Sequence, residues 1–155
     1  MKQFTLAHIT FVTNELVNDY FKELKPIIII LREESDQDYY AKGNVYGLKR
    51  EFILHIDDSI YDLPANAIKG CLAYEFARIK KLHSLDHLGL FLYRVKKMIS
   101  RNYRINVERE LTKTMIEKDL GLELFEFRHH NQKGNYPYVS SDFMQNVRSV
   151  ARKEK

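Results

Sequence analysis

The sequence predicts an α+β domain in which an N-terminal helix and a small sheet precede a set of packed helices. Short apolar runs rich in β-branched residues lie between residues 27 and 56, and such runs favour strands. Beyond Leu63-Pro64 the apolar residues recur every three or four positions, which is the helical period. A chain of 155 residues can bury one hydrophobic core, and it shows no repeat or linker. Segregated strands and helices are typical of α+β proteins, so we treat residues 1–155 as a single domain.

The N-terminal third is predicted to hold one helix and a small sheet. Thr13 can cap a helix over about residues 14–24, which Pro26 ends. Residues 27–31 are predicted to form a buried strand, and the polar residues 33–38 a surface loop. A turn at Gly43-Asn44 is expected to precede a further strand over residues 51–56.

Two helices are predicted directly after the sheet. Pro64 suits the first position of a helix, and Asp62 just upstream can accept a capping hydrogen bond. Ser84 is expected to begin the next helix. The apolar face of that second helix consists of Leu88, Phe91, Leu92, Val95 and Ile99.

The rest of the chain is also predicted to be mostly helical. Asn106 can cap a helix that runs to Leu120, with Gly121 in the C-terminal capping position. The remaining predicted segments are a helix at 122–128, a loop at 131–138 and a short helix from Ser141 or Asp142 to Ala151.

Composition excludes several classes of protein. The longest apolar run, residues 27–31, is far too short to cross a bilayer, so no membrane partner is expected. The first residues do not have the pattern of a secretory signal. The single cysteine, Cys71, excludes an intramolecular disulfide framework and a cysteine-rich zinc site. These features together predict a cytoplasmic protein.

The basic residues are unevenly distributed. The formal net charge is +4, and basic side chains concentrate in the segment 94–104 and in the tail 148–155. Such clusters can attract the phosphates of a nucleic acid, which makes nucleic-acid binding one possible function. Solvated helix faces explain the same pattern without any partner.

The segment Tyr74-Glu75-Phe76-Ala77-Arg78 lies in the predicted helix that begins near Pro64. It has the spacing of the zinc-protease motif H-E-x-x-H, in which two histidines one turn apart bind the metal. Glu75 stands where that motif has its general base, while Tyr74 and Arg78 stand at the two histidine positions. Neither replacement is a suitable zinc ligand, because a guanidinium carries a positive charge and has no lone pair to donate.

A second segment strengthens the likeness. Glu108 and Thr112 lie one turn apart on a later predicted helix. Together with the first segment, residues 51–128 resemble the scaffold of the small gluzincin metallopeptidases. In that family a Glu on a later helix is the third zinc ligand, and an Asp four residues on orients the site. Glu108 matches the Glu, and Thr112 replaces the Asp.

The resemblance implies a zincin-like fold and a remnant site. It places the general-base position at Glu75 and former ligand positions at Tyr74, Arg78 and Glu108, with Cys71 and Thr112 lining the site. An active relative would hydrolyse peptide bonds with zinc-activated water. Because the ligands are lost, we expect this chain to bind no metal and no other cofactor.

Two carboxylates that face one interior site repel each other unless a cation lies between them. We expect Arg78 to take the place of the ion, forking onto Glu108 and onto Glu75, with a hydrogen bond from Tyr74. Other metal sites are not favoured. His83 and His87 are four residues apart, but the predicted helix start at Ser84 separates them.

The sequence therefore leads to three functional hypotheses. The leading one is a catalytically inactive metallopeptidase-like protein whose former cleft holds a peptide or protein partner. A second is a hydrolase with residual or altered acid/base chemistry at Glu75 and Glu108. The third is nucleic-acid binding through the segment 94–104.

Overall fold

The computed structural model describes residues 4–46 and 51–131, which form five α-helices and a three-stranded sheet. The predicted α+β class is confirmed. The elements in chain order are α1 (Leu6–Glu15), β1 (Ile28–Glu34), β2 (Ala41–Tyr46), β3 (Glu51–Asp57), α2 (Ala65–His83), α3 (His87–Ile99), α4 (Arg101–Glu117) and α5 (Gly121–His130). Within the described residues, no helix combines the length and apolarity needed to cross a membrane. The predicted elements beyond residue 131 lie outside the described residues.

The sheet has β3 at its centre, with β1 parallel on one side and β2 antiparallel on the other. The backbone N–H of Asp57 donates to the carbonyl oxygen of Tyr40, 2.9 Å away. Backbone groups along an antiparallel strand point alternately toward and away from the neighbouring strand. Gly43 is three residues beyond Tyr40, so its N–H and C=O point away from β3. This orientation leaves them available to side chains at the edge of the sheet.

The turn expected at Gly43-Asn44 is wrong, because both residues lie within strand β2. Gly43 is required because a larger residue would not fit at this position. A Cβ atom on Gly43 would lie 2.9 Å from Cδ1 of Ile79, which belongs to α2 beneath the strand. The close approach of strand and helix, not a chain reversal, explains the glycine.

The first helix begins earlier than predicted, at Leu6, and Thr13 lies within it instead of capping it. Ile9, Val12 and Leu16 are all buried, so the 3-4 spacing of the core face starts well before residue 14. A π-helical turn at Leu16–Tyr20 and a short 3-10 turn at Lys22–Leu24 complete the segment. The strand after it extends to Glu34, three residues further than expected. It is not the buried strand that was predicted, because its side chains are exposed or half-buried.

Helix α2 is the central element of the fold and packs against α5, β2 and α4. It is buried on nearly all sides between Ala67 and Ile79. Gly70 marks the closest approach to α5, because a Cβ there would lie 2.0 Å from the carbonyl oxygen of Glu123. A glycine inside the helix lets the two backbones meet at van der Waals distance.

The start of α3 differs from the prediction. Asp86, not Ser84, caps it by accepting a hydrogen bond from the N–H of Gly89 at 2.7 Å. At the start of α2, Pro64 occupies the capping position and Asp62 does not cap the helix. The predicted apolar face of α3 is largely exposed, with Phe91 at 62% and Ile99 at 74%.

The bounds of α4 are also shifted. Ser100 caps it through the N–H of Tyr103, so the helix starts five residues before Asn106. It ends at Glu117, where Asp119 takes the left-handed conformation, with a φ of 58°, that was expected at Gly121. Gly121 instead begins α5, which includes the helix predicted at 122–128.

Candidate functional site

Helix α2 brings Tyr74, Glu75 and Arg78 to the edge of the sheet, as the helical period of the motif requires. Glu108 comes from the middle of α4 and reaches the same place. All four side chains line one cleft. The cleft is bounded by β2, α2, α3 and α4.

Glu75 and Arg78 form a buried ion pair that also binds the edge strand. Nη2 of Arg78 lies 2.6 Å from Oε2 of Glu75 and donates to the carbonyl oxygen of Gly43 at 2.8 Å. The N–H of Gly43 donates to the same Oε2 of Glu75 at 2.8 Å. Both backbone groups of Gly43 are therefore satisfied by one residue pair from α2, in the way that a neighbouring strand would satisfy them.

Glu108 has a different set of partners. The hydroxyl of Tyr74 donates to its Oε1 at 2.6 Å, and Nη2 of Arg128 on α5 lies 3.7 Å from its Oε2. Arg128 also donates to the hydroxyl of Thr112 at 3.3 Å, and that hydroxyl donates to the backbone carbonyl of Glu108 at 2.8 Å. Thr112 thus holds the arginine beside the carboxylate.

The expected pairing of Arg78 with Glu108 is replaced by two separate pairs. Arg78 lies on Glu75, three residues before it on the same helix, while Arg128 is the cation beside Glu108. Sequence reasoning missed Arg128, which is twenty residues from Glu108 and on another helix. The sequence offered only one indication of this pair, namely that Glu108 and Arg128 both lie on helix faces that are buried.

Burial dominates the electrostatics of both pairs. Burial raises the pKa of Glu75 above its ordinary value of 4.5, and the charge of Arg78 and the hydrogen bond from Gly43 oppose this rise. Burial likewise raises the pKa of Glu108 against the hydrogen bond from Tyr74 and the charge of Arg128. Glu75 is 2% exposed and Glu108 3% exposed, so neither charge is stable there without its partner.

The cleft has a volume of about 310 Å³. Glu75, Arg78 and Glu108 form its floor. The surrounding wall adds Tyr39, Lys42, Lys97 and Arg104. Burial lowers the pKa of Lys97, and the nearby charge of Arg78 lowers it further. The wall therefore adds three positive charges, those of Lys42, Lys97 and Arg104, to a floor whose carboxylates already have arginine partners.

The other predicted site residues are not part of this wall. Cys71 is fully buried in the hydrophobic core. Thr112 is also fully buried and acts behind Glu108. His83 and His87 lie on two different helices, at the end of α2 and the start of α3.

The basic residues of segment 94–104 are divided between the cleft and exposed positions. Lys97 turns into the cleft, and Arg104 donates to the carbonyl oxygen of Lys97 at 3.0 Å near the end of α3. Arg94 and Arg101 are exposed. The tail 148–155 lies outside the described residues.

The residues present do not fit a catalytic zinc ion. Tyr74 and Arg78 offer no imidazole, and Arg78 places a positive charge where the motif H-E-x-x-H would have its second histidine. Burial, followed by the nearby charge of Glu108, raises the pKa of Tyr74 well above its ordinary value, so its hydroxyl remains a proton donor. Across residues 4–46 and 51–131, no cluster of three or more histidine, cysteine or acidic side chains has an arrangement that would hold a metal.

Comparison of the chain with protein-family models, with curated proteins and with solved structures finds no match. The resemblance to gluzincins therefore stays a prediction that depends on the residues named above.

Proposed function

We propose that this protein is a metal-free, catalytically inactive relative of the gluzincin metallopeptidases, and that its cleft holds a peptide or protein partner. The observation that carries the proposal is the position of Arg78. Its guanidinium stands at a former ligand position and forms an ion pair with the former general base, Glu75. A fixed cation thus replaces the charge that a metal would supply.

The same contacts argue against hydrolysis by Glu75. A general base must reach the proton that it abstracts and must be free to accept it. Oε2 of Glu75 already accepts from Gly43 and contacts Arg78. Glu108 is engaged by Tyr74 and lies beside Arg128. Glu75 is therefore not free to act as the base, whereas Oε2 of Glu108 has no hydrogen-bond partner among the described residues.

The edge strand limits how a partner can bind. An extended peptide commonly adds to a sheet by pairing with the outward backbone groups of an edge strand. At Gly43 those groups are taken by Glu75 and Arg78. A partner must therefore bind through side chains that enter the cleft, and not through strand addition at this position.

The charge of the wall indicates the chemistry of such a partner. Lys42, Lys97 and Arg104 surround the floor, and Asp38 is the one acidic side chain on the wall within the described residues. At about 310 Å³ the cleft has room for one or two side chains and lies at the small end of ligand sites. We therefore expect it to accept acidic side chains of a partner.

A selection from a random peptide library displayed on phage tests this function. We expect the selected peptides to be enriched in Asp and Glu and to remain uncleaved. Lys42→Glu should weaken their binding roughly tenfold or more, because a like charge then faces the peptide. Lys25→Glu is the matched control, since Lys25 is exposed and does not line the cleft. Binding that Lys42→Glu and Lys25→Glu affect equally would contradict the proposal.

A further inference from the structure

A second, smaller pocket lies beside the cleft, between β2, α2 and α3. Its volume is about 120 Å³, well below the roughly 300 Å³ at which sites for drug-sized ligands begin. It is still several times the volume that one water molecule needs. The pocket therefore suits an ion or a small group of a larger molecule.

The charge of this pocket has one sign. Arg78, Arg94 and Lys97 line it, and no acidic side chain does so among the described residues. The charge of Arg78 is neutralised by Glu75, which does not line the pocket. Arg94 and Lys97 take part in no ion pair with a carboxylate among residues 4–46 and 51–131. The pocket thus carries an uncompensated positive charge.

A buried hydroxyl adds an independent sign of a missing ligand. Tyr93 is only 6% exposed and lines the pocket. Its hydroxyl oxygen is buried and has no hydrogen-bond partner within the part of the chain that the structure describes. A buried hydroxyl without a partner costs free energy, so such groups usually face water or a ligand. Burial raises the pKa of Tyr93, which keeps the hydroxyl protonated as a donor.

Lys97 is the cation that an anion would stabilise most. It is half-buried, and burial lowers its pKa, with the charge of Arg78 lowering it further. Its ammonium lies 5.8 Å from the centre of the Tyr93 ring, and both residues line the pocket. An anion in the pocket would relieve the repulsion between Lys97 and Arg78.

We propose that this pocket binds a phosphate group, held by Arg94, Lys97 and the hydroxyl of Tyr93. A tetrahedral phosphate presents several oxygen acceptors, so the three donors of α3 can bind it together, and arginine is well suited to this role. The amide of Asn44 on β2 supplies a further donor at the rim. The volume admits the phosphate group but no base or sugar with it. This site goes beyond the proposed function and does not depend on the family resemblance.

Calorimetric titration of the full chain with inorganic phosphate at low ionic strength tests the site. We expect saturable binding of one phosphate per chain with a Kd below about 10 mM. Arg94→Gln should weaken binding roughly tenfold or more, and Tyr93→Phe roughly threefold, as the loss of a charged and a neutral donor predicts. Arg101→Gln removes the same charge from an exposed position outside the pocket, and we expect an effect of at most about twofold.

A parallel titration with O-phosphoserine distinguishes free phosphate from a phosphate ester as the occupant. Tighter binding of the monoester would support an esterified phosphate, and tighter binding of inorganic phosphate a free ion. The absence of saturable binding with both probes would overturn the proposal. It would equally be overturned if Arg94→Gln and Arg101→Gln weakened binding to the same extent. Lys97 lines both the pocket and the cleft, but Arg94 lines only the pocket and Lys42 only the cleft, so the two tests can fail separately.

Discussion

Replacing Arg78 by methionine is expected to lower the free energy of unfolding by about 3–5 kcal/mol at neutral pH. The substitution keeps much of the apolar stem of Arg78 but leaves the carboxylate of Glu75 buried without its cation. It also removes the hydrogen bond to the carbonyl oxygen of Gly43. Urea denaturation of the variant and the native chain measures the difference. Arg101→Met is the matched control, because Arg101 is exposed.

The loss should depend on pH in a defined direction. Burial raises the pKa of Glu75 above 4.5, so its contribution to stability is greatest below 4.5 and declines as pH rises through the folded value. Without Arg78 the pKa of Glu75 rises further. The free energy of unfolding of the variant should therefore be close to that of the native chain in acid and much lower at neutral pH.

A second substitution separates the charge from the packing. Adding Glu75→Gln to Arg78→Met removes the stranded charge, so most of the lost stability should return and its pH dependence should disappear. An Arg78→Met variant as stable as the native chain would contradict the buried pair. So would a double variant no more stable than Arg78→Met alone.

The second large effect is expected at Gly70, where alanine should destabilise the fold by about 1–3 kcal/mol or more. Alanine favours a helix over glycine by up to about 1 kcal/mol, so propensity alone predicts the opposite sign. The clash decides the outcome, because the new Cβ would lie 2.0 Å from the backbone oxygen of Glu123. Backbone cannot turn aside as a side chain can, so α2 and α5 must separate.

Gly89→Ala is the control for the second effect. Its Cβ would lie 2.9 Å from Oδ1 of Asp86, the acceptor that caps α3, and next to the side chain of Leu85. A shift of Asp86 weakens a cap worth about 1 kcal/mol, and the higher helix propensity of alanine offsets this loss. We expect a change within about 1 kcal/mol. Thermal unfolding of both variants measures the contrast. A Gly70→Ala protein at least as stable as the Gly89→Ala protein would show that the close contact of α2 and α5 is not present.

The α+β class followed from hydrophobic periodicity, which persists even where the ends of elements are placed wrongly. Helix α2 illustrates this, since its apolar spacing identified it independently of any cap. The ends depended on local signals with competitors nearby. Ser84, Asp86, Ser100 and Asn106 are all good caps by residue type, and the structure uses Asp86 and Ser100.

Gly43 shows where local reasoning fails. The dipeptide Gly-Asn favours a turn when it is considered alone. Gly43 nevertheless lies within strand β2, where that strand passes over helix α2. Nothing near it in the sequence indicates Ile79, which is 36 residues away and leaves no room for a Cβ. Packing between distant elements decided the structure, and propensity could not reveal it.

The residues of the candidate site could be predicted in part from the sequence. Tyr74, Glu75 and Arg78 share a helix, so their spacing alone places them together, and the family resemblance added Glu108. The partners within the site depended on how α4 and α5 pack on α2. This packing brings Arg128 to Glu108 and leaves Arg78 to Glu75. A fixed sequence spacing carries no information about such contacts.

The most direct test of the central claim is the shift in unfolding temperature that zinc causes in a Tyr74→His/Arg78→His variant. If the scaffold is that of a gluzincin, the two histidines and Glu108 complete a zinc site. Without zinc the variant should unfold at a lower temperature than the native chain, because Glu75 has lost its cation. Zinc should restore stability, by about 2.7 kcal/mol at a concentration one hundred times its Kd.

The native chain and a Tyr74→Phe/Arg78→Met variant are the controls. We expect neither to be stabilised by zinc, and we expect a chelator to reverse the effect in the histidine variant. A folded histidine variant that does not respond to zinc would contradict the metallopeptidase-like scaffold. One tightly bound zinc per native chain would contradict the claim that an arginine has replaced the metal.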